Sequence, residues 1–133
     1  MRLETEDGPA IENPTDDQVR EALERLGRES GALAILTRQD EPLEYVEAGG
    51  EGDAFVVECH EDDRHCRAAN EQMTLAATVA LFQAYGRGGD AWRGMALWRD
   101  ITRETTGTRW QVVAIIGVVT AALAALILYY SFK

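Results

Sequence analysis

The feature that most constrains this chain is an uninterrupted apolar run near its C-terminus. Residues 112–130 read VVAIIGVVTAALAALILYY, nineteen residues without a charged side chain. At about 1.5 Å of rise per residue, a helix of this length spans about 28 Å, which matches the hydrocarbon core of a bilayer. A helix also satisfies its own backbone hydrogen bonds, as hydrocarbon requires. The run therefore predicts a transmembrane helix; the alternative is a buried core helix, which a domain of this size could hardly surround.

The residues that flank the run fit a membrane helix. Trp110 lies at one end, and Tyr129 and Tyr130 lie at the other, as in an aromatic belt at the two membrane interfaces. Two arginines lie just before the run, Arg103 and Arg109, whereas one lysine, Lys133, follows it. The positive-inside bias then places the N-terminal part in the cytoplasm. We therefore expect a tail-anchored, single-pass protein of the inner (plasma) membrane.

A stripe of small residues lies within the run. Gly117, Ala121 and Ala125 recur every four residues, which places them along one face of a helix and permits two helices to approach closely. The stripe predicts self-association of the membrane helix into a homodimer or oligomer. The alternative is ordinary alanine-rich composition, since the run contains five alanines.

The residues that precede the run are strongly acidic. Residues 1–109 contain 12 arginines against 23 aspartates and glutamates. Such a charge is repelled by phosphate backbones, so nucleic-acid binding is not expected. The same charge steers a compact domain towards a basic surface. The composition therefore predicts a basic protein partner.

Three helices are predicted in the acidic part. The first follows Thr15, whose hydroxyl can cap it, with Gln18 in the capping-box position and Gly27 at its end. Its apolar residues recur at helical spacing. A second amphipathic helix is predicted over about 74–86, and a short third helix, which includes Trp98, is predicted after Asp90.

Short strands are predicted between these helices. They lie in the regions 2–6 (with a hairpin back to 9–11), 32–37, 43–47, 54–60 and 64–68. The strand at 43–47 is expected to break at Gly49-Gly50. Because the strands are clustered, they favour an antiparallel meander. The predicted fold class is α+β: a small antiparallel sheet with two to three helices largely on one face, plus one C-terminal transmembrane helix. The predicted parts are an acidic cytoplasmic domain (1–99), a polar tether (100–110), the transmembrane helix (111–130) and a short tail (131–133).

Two cysteines and two histidines form a mirrored pattern that suggests a metal site. A tight hairpin places Cys59 opposite Cys66 and His60 opposite His65. Because neighbouring residues on a strand point to opposite faces, the thiols and the imidazoles are expected on different sides of the sheet. A tetrahedral zinc site needs all four ligands to converge. We therefore expect two reduced core thiols, two outward histidines, no metal and no cofactor; a distorted turn that unites the four residues is the alternative.

The remaining candidate residues point to binding rather than catalysis. No serine or carboxylate has the spacing of a catalytic constellation. A dyad of Cys59 with a histidine is conceivable, but a cysteine in the middle of an apolar strand is usually inert, so an enzyme is not expected. Aromatic residues cluster late in the acidic part, where they either close the core or form a rim for a partner. The candidate partner-binding residues are Glu58, Tyr85, Asp90, Trp92 and Trp98.

Several stretches follow one another in an order that resembles a known family. They are Ile11-Glu12-Asn13-Pro14-Thr15, the helix positions Val19, Ala22, Leu23 and Leu26, then Ala34-Ile35-Leu36, Tyr45, Phe55-Val56-Val57-Glu58, His65-x-Arg67, Phe82-x-x-Tyr85, Gly89-Asp90-x-Trp92 and Trp98. Together they resemble the immunity-protein-1 family of bacterial polymorphic toxin systems over residues 11–98. The resemblance implies an α+β protein that binds and neutralises a cognate toxin, in this family often a nucleic-acid deaminase. A membrane anchor is not part of the family pattern.

The sequence therefore predicts a tail-anchored cytoplasmic binding protein, an immunity-type inhibitor of a cognate toxin or effector. The alternative is a small membrane effector or adaptor, whose acidic part senses a ligand or partner and whose transmembrane helix oligomerises to perturb the membrane. Overexpression of the chain alone separates the two, because an inhibitor is harmless by itself and a membrane effector arrests growth.

Overall fold

A computed structural model of the chain describes residues 1–29, 32–69 and 72–104. In this part of the chain the strands are β1 (Arg2–Thr5), β2 (Ile11–Glu12), β3 (Leu33–Thr37), β4 (Tyr45–Glu51), β5 (Ala54–Glu61), β6 (Arg64–Ala68) and β7 (Trp98–Asp100). The helices described there are α1 (Asp16–Leu26), α2 (Leu75–Gly86) and the 3-10 helix Ala91–Met95. The prediction of an α+β fold with an antiparallel sheet is confirmed.

Within the described residues the strands form one seven-stranded sheet in the order β2-β1-β3-β4-β5-β6-β7. All neighbouring strands are antiparallel. Helix α1 connects β2 to β3, whereas α2 and the 3-10 helix connect β6 to β7. From β3 to β6 the chain is a plain meander, so the register of each pair in the centre of the sheet is set by short connections.

Helix α1 begins where its capping residues predict. The Gln18 backbone N–H donates to the Thr15 hydroxyl at 3.2 Å, and the Thr15 backbone N–H donates to the Gln18 side chain at 2.9 Å. This reciprocal pair satisfies two of the N–H groups that a helix start leaves without partners. The helix ends at Leu26, immediately before Gly27. The predicted capping box and helix end are therefore confirmed.

The hydrophobic core lies between one face of the sheet and the two α-helices. Along β4 and β5 the buried residues alternate with outward-facing ones, as the two-residue period of a strand requires. The largest buried side chains include Leu3, Leu23, Leu36, Val46, Phe55, Val57, Leu81, Phe82, Tyr85 and Trp92. Each such apolar side chain contributes about 1.5–3 kcal/mol when removed from water.

The structure differs from the sequence prediction at two strands. Strand β4 continues through Gly49 and Gly50, where a break was expected, because Gly50 allows β5 to approach closely. A Cβ at Gly50 would lie 2.2 Å from the Ala54 carbonyl oxygen. Strand β7 also includes Trp98, which was expected in the third helix, and it pairs with β6. Residues Met1–Ile101 form one compact unit, and its last residue, Ile101, is buried.

The predicted transmembrane helix at 111–130 lies outside the described residues, and so does its stripe of Gly117, Ala121 and Ala125. Among the described residues, no helix is long and apolar enough to cross a membrane.

Candidate functional site

The face of the sheet opposite the core, here called the outer face, carries two adjacent rows of polar side chains at its centre. One row consists of Tyr45, His60 and His65, and the other of Glu47, Glu58 and Arg67. The members of each row lie in direct register across β4, β5 and β6. The antiparallel meander thus gathers side chains from three strands into one site.

The alternation of the strands explains why these particular residues share a face. Cys59 is buried and lies directly opposite the buried Cys66, with both thiols free. His60 and His65 are the next pair along the same hairpin and point to the outer face. The predicted separation of the thiols from the imidazoles is therefore confirmed.

Glu58 lies at the centre of the hydrogen-bond network. Its Oε1 accepts from Arg67, with Nε at 2.7 Å and Nη2 at 2.6 Å. Its Oε2 lies 2.5 Å from Nε2 of His65. Burial pushes the pKa of Glu58 upwards, but hydrogen bonds with Arg67, Glu47 and His65 outweigh that effect and hold the pKa below its ordinary value.

His60 is held by stacking and by one carboxylate. Its ring lies between Tyr45, at a centroid distance of 4.2 Å, and His65, at 3.8 Å. Its Nε2 lies 3.4 Å from Oε1 of Glu47. The nearest ligand atoms of Glu47, Glu58, His60 and His65 all lie within 4.8 Å of one another. We call these four residues the Glu-His cluster; in the part of the chain that the structure describes, they are the group that could hold a metal ion.

A depression of about 430 Å³ adjoins the Glu-His cluster on the outer face. It is lined by Leu33, Glu47, Gly49, Gly50, Glu51, Val56 and Glu58. Leu33 and Val56 flank Gly49 in register and are 41% and 38% exposed, so they form an apolar floor. A Cβ at Gly49 would lie 2.8 Å from Cδ2 of Leu33, so the glycine makes room for the Leu33 side chain to lie over it.

The residues predicted to bind a partner lie in different places. Glu58 belongs to the outer face, and Asp90 is exposed. Tyr85 and Trp92 are each 2% exposed and pack edge to face at 5.3 Å in the core. The Trp98 ring packs edge to face against Trp92, with 5.6 Å between the ring centroids. The indole N–H of Trp98 donates to the Arg93 carbonyl. The aromatic cluster therefore packs the core, which was one of its two interpretations.

The residues predicted from the sequence did not include Glu47, and Glu58 was not predicted to lie beside the histidines. The pattern Glu58-x-His60 does place two ligand types on one face of a strand. Glu47, however, joins them through the register of β4 with β5, which depends on how β4 continues through its two glycines.

Comparisons of this chain with protein-family models, with curated proteins and with solved structures found no match in any of the three.

Proposed function

We propose that this protein is a membrane-anchored binding protein that docks a basic protein partner on the outer face of its sheet. The observation that carries the proposal is the depression beside the Glu-His cluster, where an apolar floor lies next to carboxylates on a strongly acidic chain. A long basic side chain has the matching chemistry, because its aliphatic stem packs on apolar surface while its charged end meets a carboxylate.

The apolar floor accounts for the stem of such a side chain. Leu33 and Val56 lie on either side of Gly49, and both expose more than a third of their surface. Because Gly49 has no side chain, the Leu33 side chain lies over it, and the apolar floor is continuous across β4. An arginine or lysine stem laid on this floor removes apolar surface from water on both partners, at about 25 cal/mol per Å².

The carboxylates account for the charged end. Glu47, Glu51 and Glu58 border the same depression. Arg67 occupies one oxygen of Glu58, and His60 lies against one oxygen of Glu47. The exposed Glu51 is therefore the acceptor best placed for an incoming cation. The formal net charge of −10 supplies long-range attraction to the same partner.

A protein of this kind acts by masking its partner. We propose that the partner is a cognate toxin or effector, as the resemblance to immunity proteins implies, and that the run at 112–130 anchors the complex at the inner membrane. The acidic domain then faces the cytoplasm, where repulsion from anionic lipids holds it away from the surface. The charge distribution, the apolar run and the resemblance support this proposal.

Site-specific photo-crosslinking in cells tests the docking surface. A photoreactive residue replaces Ile35, which lies beside Glu47 on the outer face, in the full chain. The matched control carries it at the exposed Glu21 on α1. We expect a cross-linked protein from position 35, with its contact segment containing arginine or lysine, and much less from position 21. Equal yields from both positions, or a contact segment without basic residues, would contradict the proposal.

Growth assays then test the inhibitory role. Expression of the captured partner alone should arrest growth, and co-expression of the full chain should restore it. Growth arrest with membrane depolarisation on expression of the full chain alone would favour the membrane effector instead.

A further inference from the structure

We propose that Glu47, Glu58, His60 and His65, the Glu-His cluster, form a binding site for one Zn²⁺ ion on the outer face of the sheet. The inference goes beyond partner docking, and it stands on the geometry of the cluster alone. Two imidazole nitrogens and two carboxylate oxygens would surround the ion, with ligands supplied by three neighbouring strands.

The distances fit a four-coordinate ion after small side-chain adjustments. Zinc–ligand bonds of about 2.1 Å in a tetrahedron place ligand atoms about 3.4 Å apart. His60 Nε2 and Glu47 Oε1 are separated by 3.4 Å. His65 Nε2 and Glu58 Oε2 lie 2.5 Å apart, because they contact each other directly. An ion that replaces this contact widens it by about 1 Å, which a side-chain rotation accommodates.

The donor types select a first-row transition metal. Imidazole nitrogen is a ligand of Zn²⁺, whereas Ca²⁺ and Mg²⁺ prefer six or more oxygens. The thiols of Cys59 and Cys66 are buried on the opposite side of the same hairpin and therefore do not contribute. The site is thus distinct from the mirrored cysteine and histidine set that the sequence first suggests.

The arrangement of charge favours a cation at this place. Glu47 and Glu58 lie directly opposite each other across β4 and β5, and like charges in such a pair destabilise a sheet. Arg67 forms an ion pair with Glu58 and offsets part of this charge. A divalent ion between the carboxylates turns their repulsion into attraction.

Neighbouring residues already orient the ligands. Arg67 holds Oε1 of Glu58 and leaves Oε2 directed at His65. Tyr45 stacks on His60 and fixes the plane of its ring. Outer partners of this kind tune a metal site by 10–100-fold in affinity, roughly. The four ligand side chains are between 12% and 23% exposed, so water competes only partly with the ion.

Calorimetry on the full chain in detergent tests the site. After treatment with a chelator and its removal, titration with Zn²⁺ should show one equivalent bound. His60→Ala and His65→Ala should each weaken binding by at least about 100-fold, because losing a ligand costs more than losing its outer partner. Glu47→Gln, which keeps the side-chain volume, should weaken it by about tenfold or more. Ca²⁺ and Mg²⁺ should give no comparable binding.

A cysteine double variant is the matched control. Cys59→Ser with Cys66→Ser should retain the zinc affinity, and Co²⁺ bound to the wild-type chain should show no thiolate charge-transfer band. Circular dichroism of each variant shows whether it is folded. If a histidine variant unfolds, the zinc affinity of Glu47→Gln and the Co²⁺ spectrum of the wild-type chain test the site instead. No zinc binding, binding unchanged in the ligand variants, or a thiolate band would overturn the proposal. The cross-linking experiment uses no added metal, so the two proposals fail separately.

Discussion

At Glu58, burial and hydrogen bonding act on one carboxylate in opposite directions. The side chain is 13% exposed, which disfavours its charge, yet it receives hydrogen bonds from Arg67 and contacts His65. Its pKa lies below the ordinary value because burial is outweighed by these partners. The ionised carboxylate therefore stabilises the folded state.

The pH dependence of stability tests this balance. A lowered folded-state pKa means that the stabilisation is complete above the ordinary glutamate pKa and is lost as the pH falls through the lowered one. Glu58→Gln should therefore destabilise the fold by about 2 kcal/mol at neutral pH, and the difference from wild type should shrink on acidification. Urea unfolding at a series of pH values measures this, with Glu21→Gln on α1 as the control. A difference that does not change with pH would contradict it.

The two thiols on the other side of the same hairpin should be unreactive. Burial, followed by the neighbouring Cys66 and Glu61, raises the pKa of the Cys59 thiol to about 12. A thiol with so high a pKa stays protonated at neutral pH and is a poor nucleophile. We expect iodoacetamide to label the full chain only after unfolding, and Cys59→Ser with Cys66→Ser to cost about 1–2 kcal/mol in unfolding free energy. Rapid labelling of the native chain would show that the pair is accessible.

At the scale of elements, the approach of β4 to β5 depends on Gly50. A Cβ there would lie 2.2 Å from the Ala54 carbonyl oxygen and 2.8 Å from the Phe55 Cα, both backbone atoms that cannot move aside cheaply. Gly50→Ala should therefore destabilise the fold by about 2 kcal/mol or more. Gly94→Ala is the matched control, because a Cβ there meets no atom within 4 Å. Thermal unfolding of both variants tests this prediction, and equal unfolding midpoints for Gly50→Ala and Gly94→Ala would contradict the role of Gly50.

The elements also show what the sequence could and could not predict. The capping box of Thr15 with Gln18 and the pairing of Cys59 with Cys66 are local, since each depends on residues a few positions apart. The position of Glu47 depends instead on the course of β4, and its glycines were interpreted as a break because glycine usually weakens a strand. Here glycine is required by close approach, which the sequence alone does not reveal.

At the scale of the whole molecule, the acidic domain and the apolar run are proposed to act together at a membrane. The full chain should stay in the membrane fraction after alkaline carbonate extraction, and protease added to spheroplasts should leave the domain intact. Replacing Ile115 and Leu123 with arginine should release the chain, since each charge costs about 3 kcal/mol in the middle of a membrane helix. Release of the wild-type chain by carbonate, or digestion of its domain from outside, would refute the anchor and its orientation.

The association rate between the full chain and its cross-linked partner tests the docking surface most directly. Electrostatic steering predicts that this rate falls by about tenfold or more between low and physiological salt, since ions screen charges beyond about 8 Å. At low salt Glu51→Gln should slow association several-fold, whereas Glu21→Gln, an equal loss of charge on α1, should change it little. An association rate that does not change with salt concentration, or that falls equally in both variants, would show that the partner does not dock on the outer face.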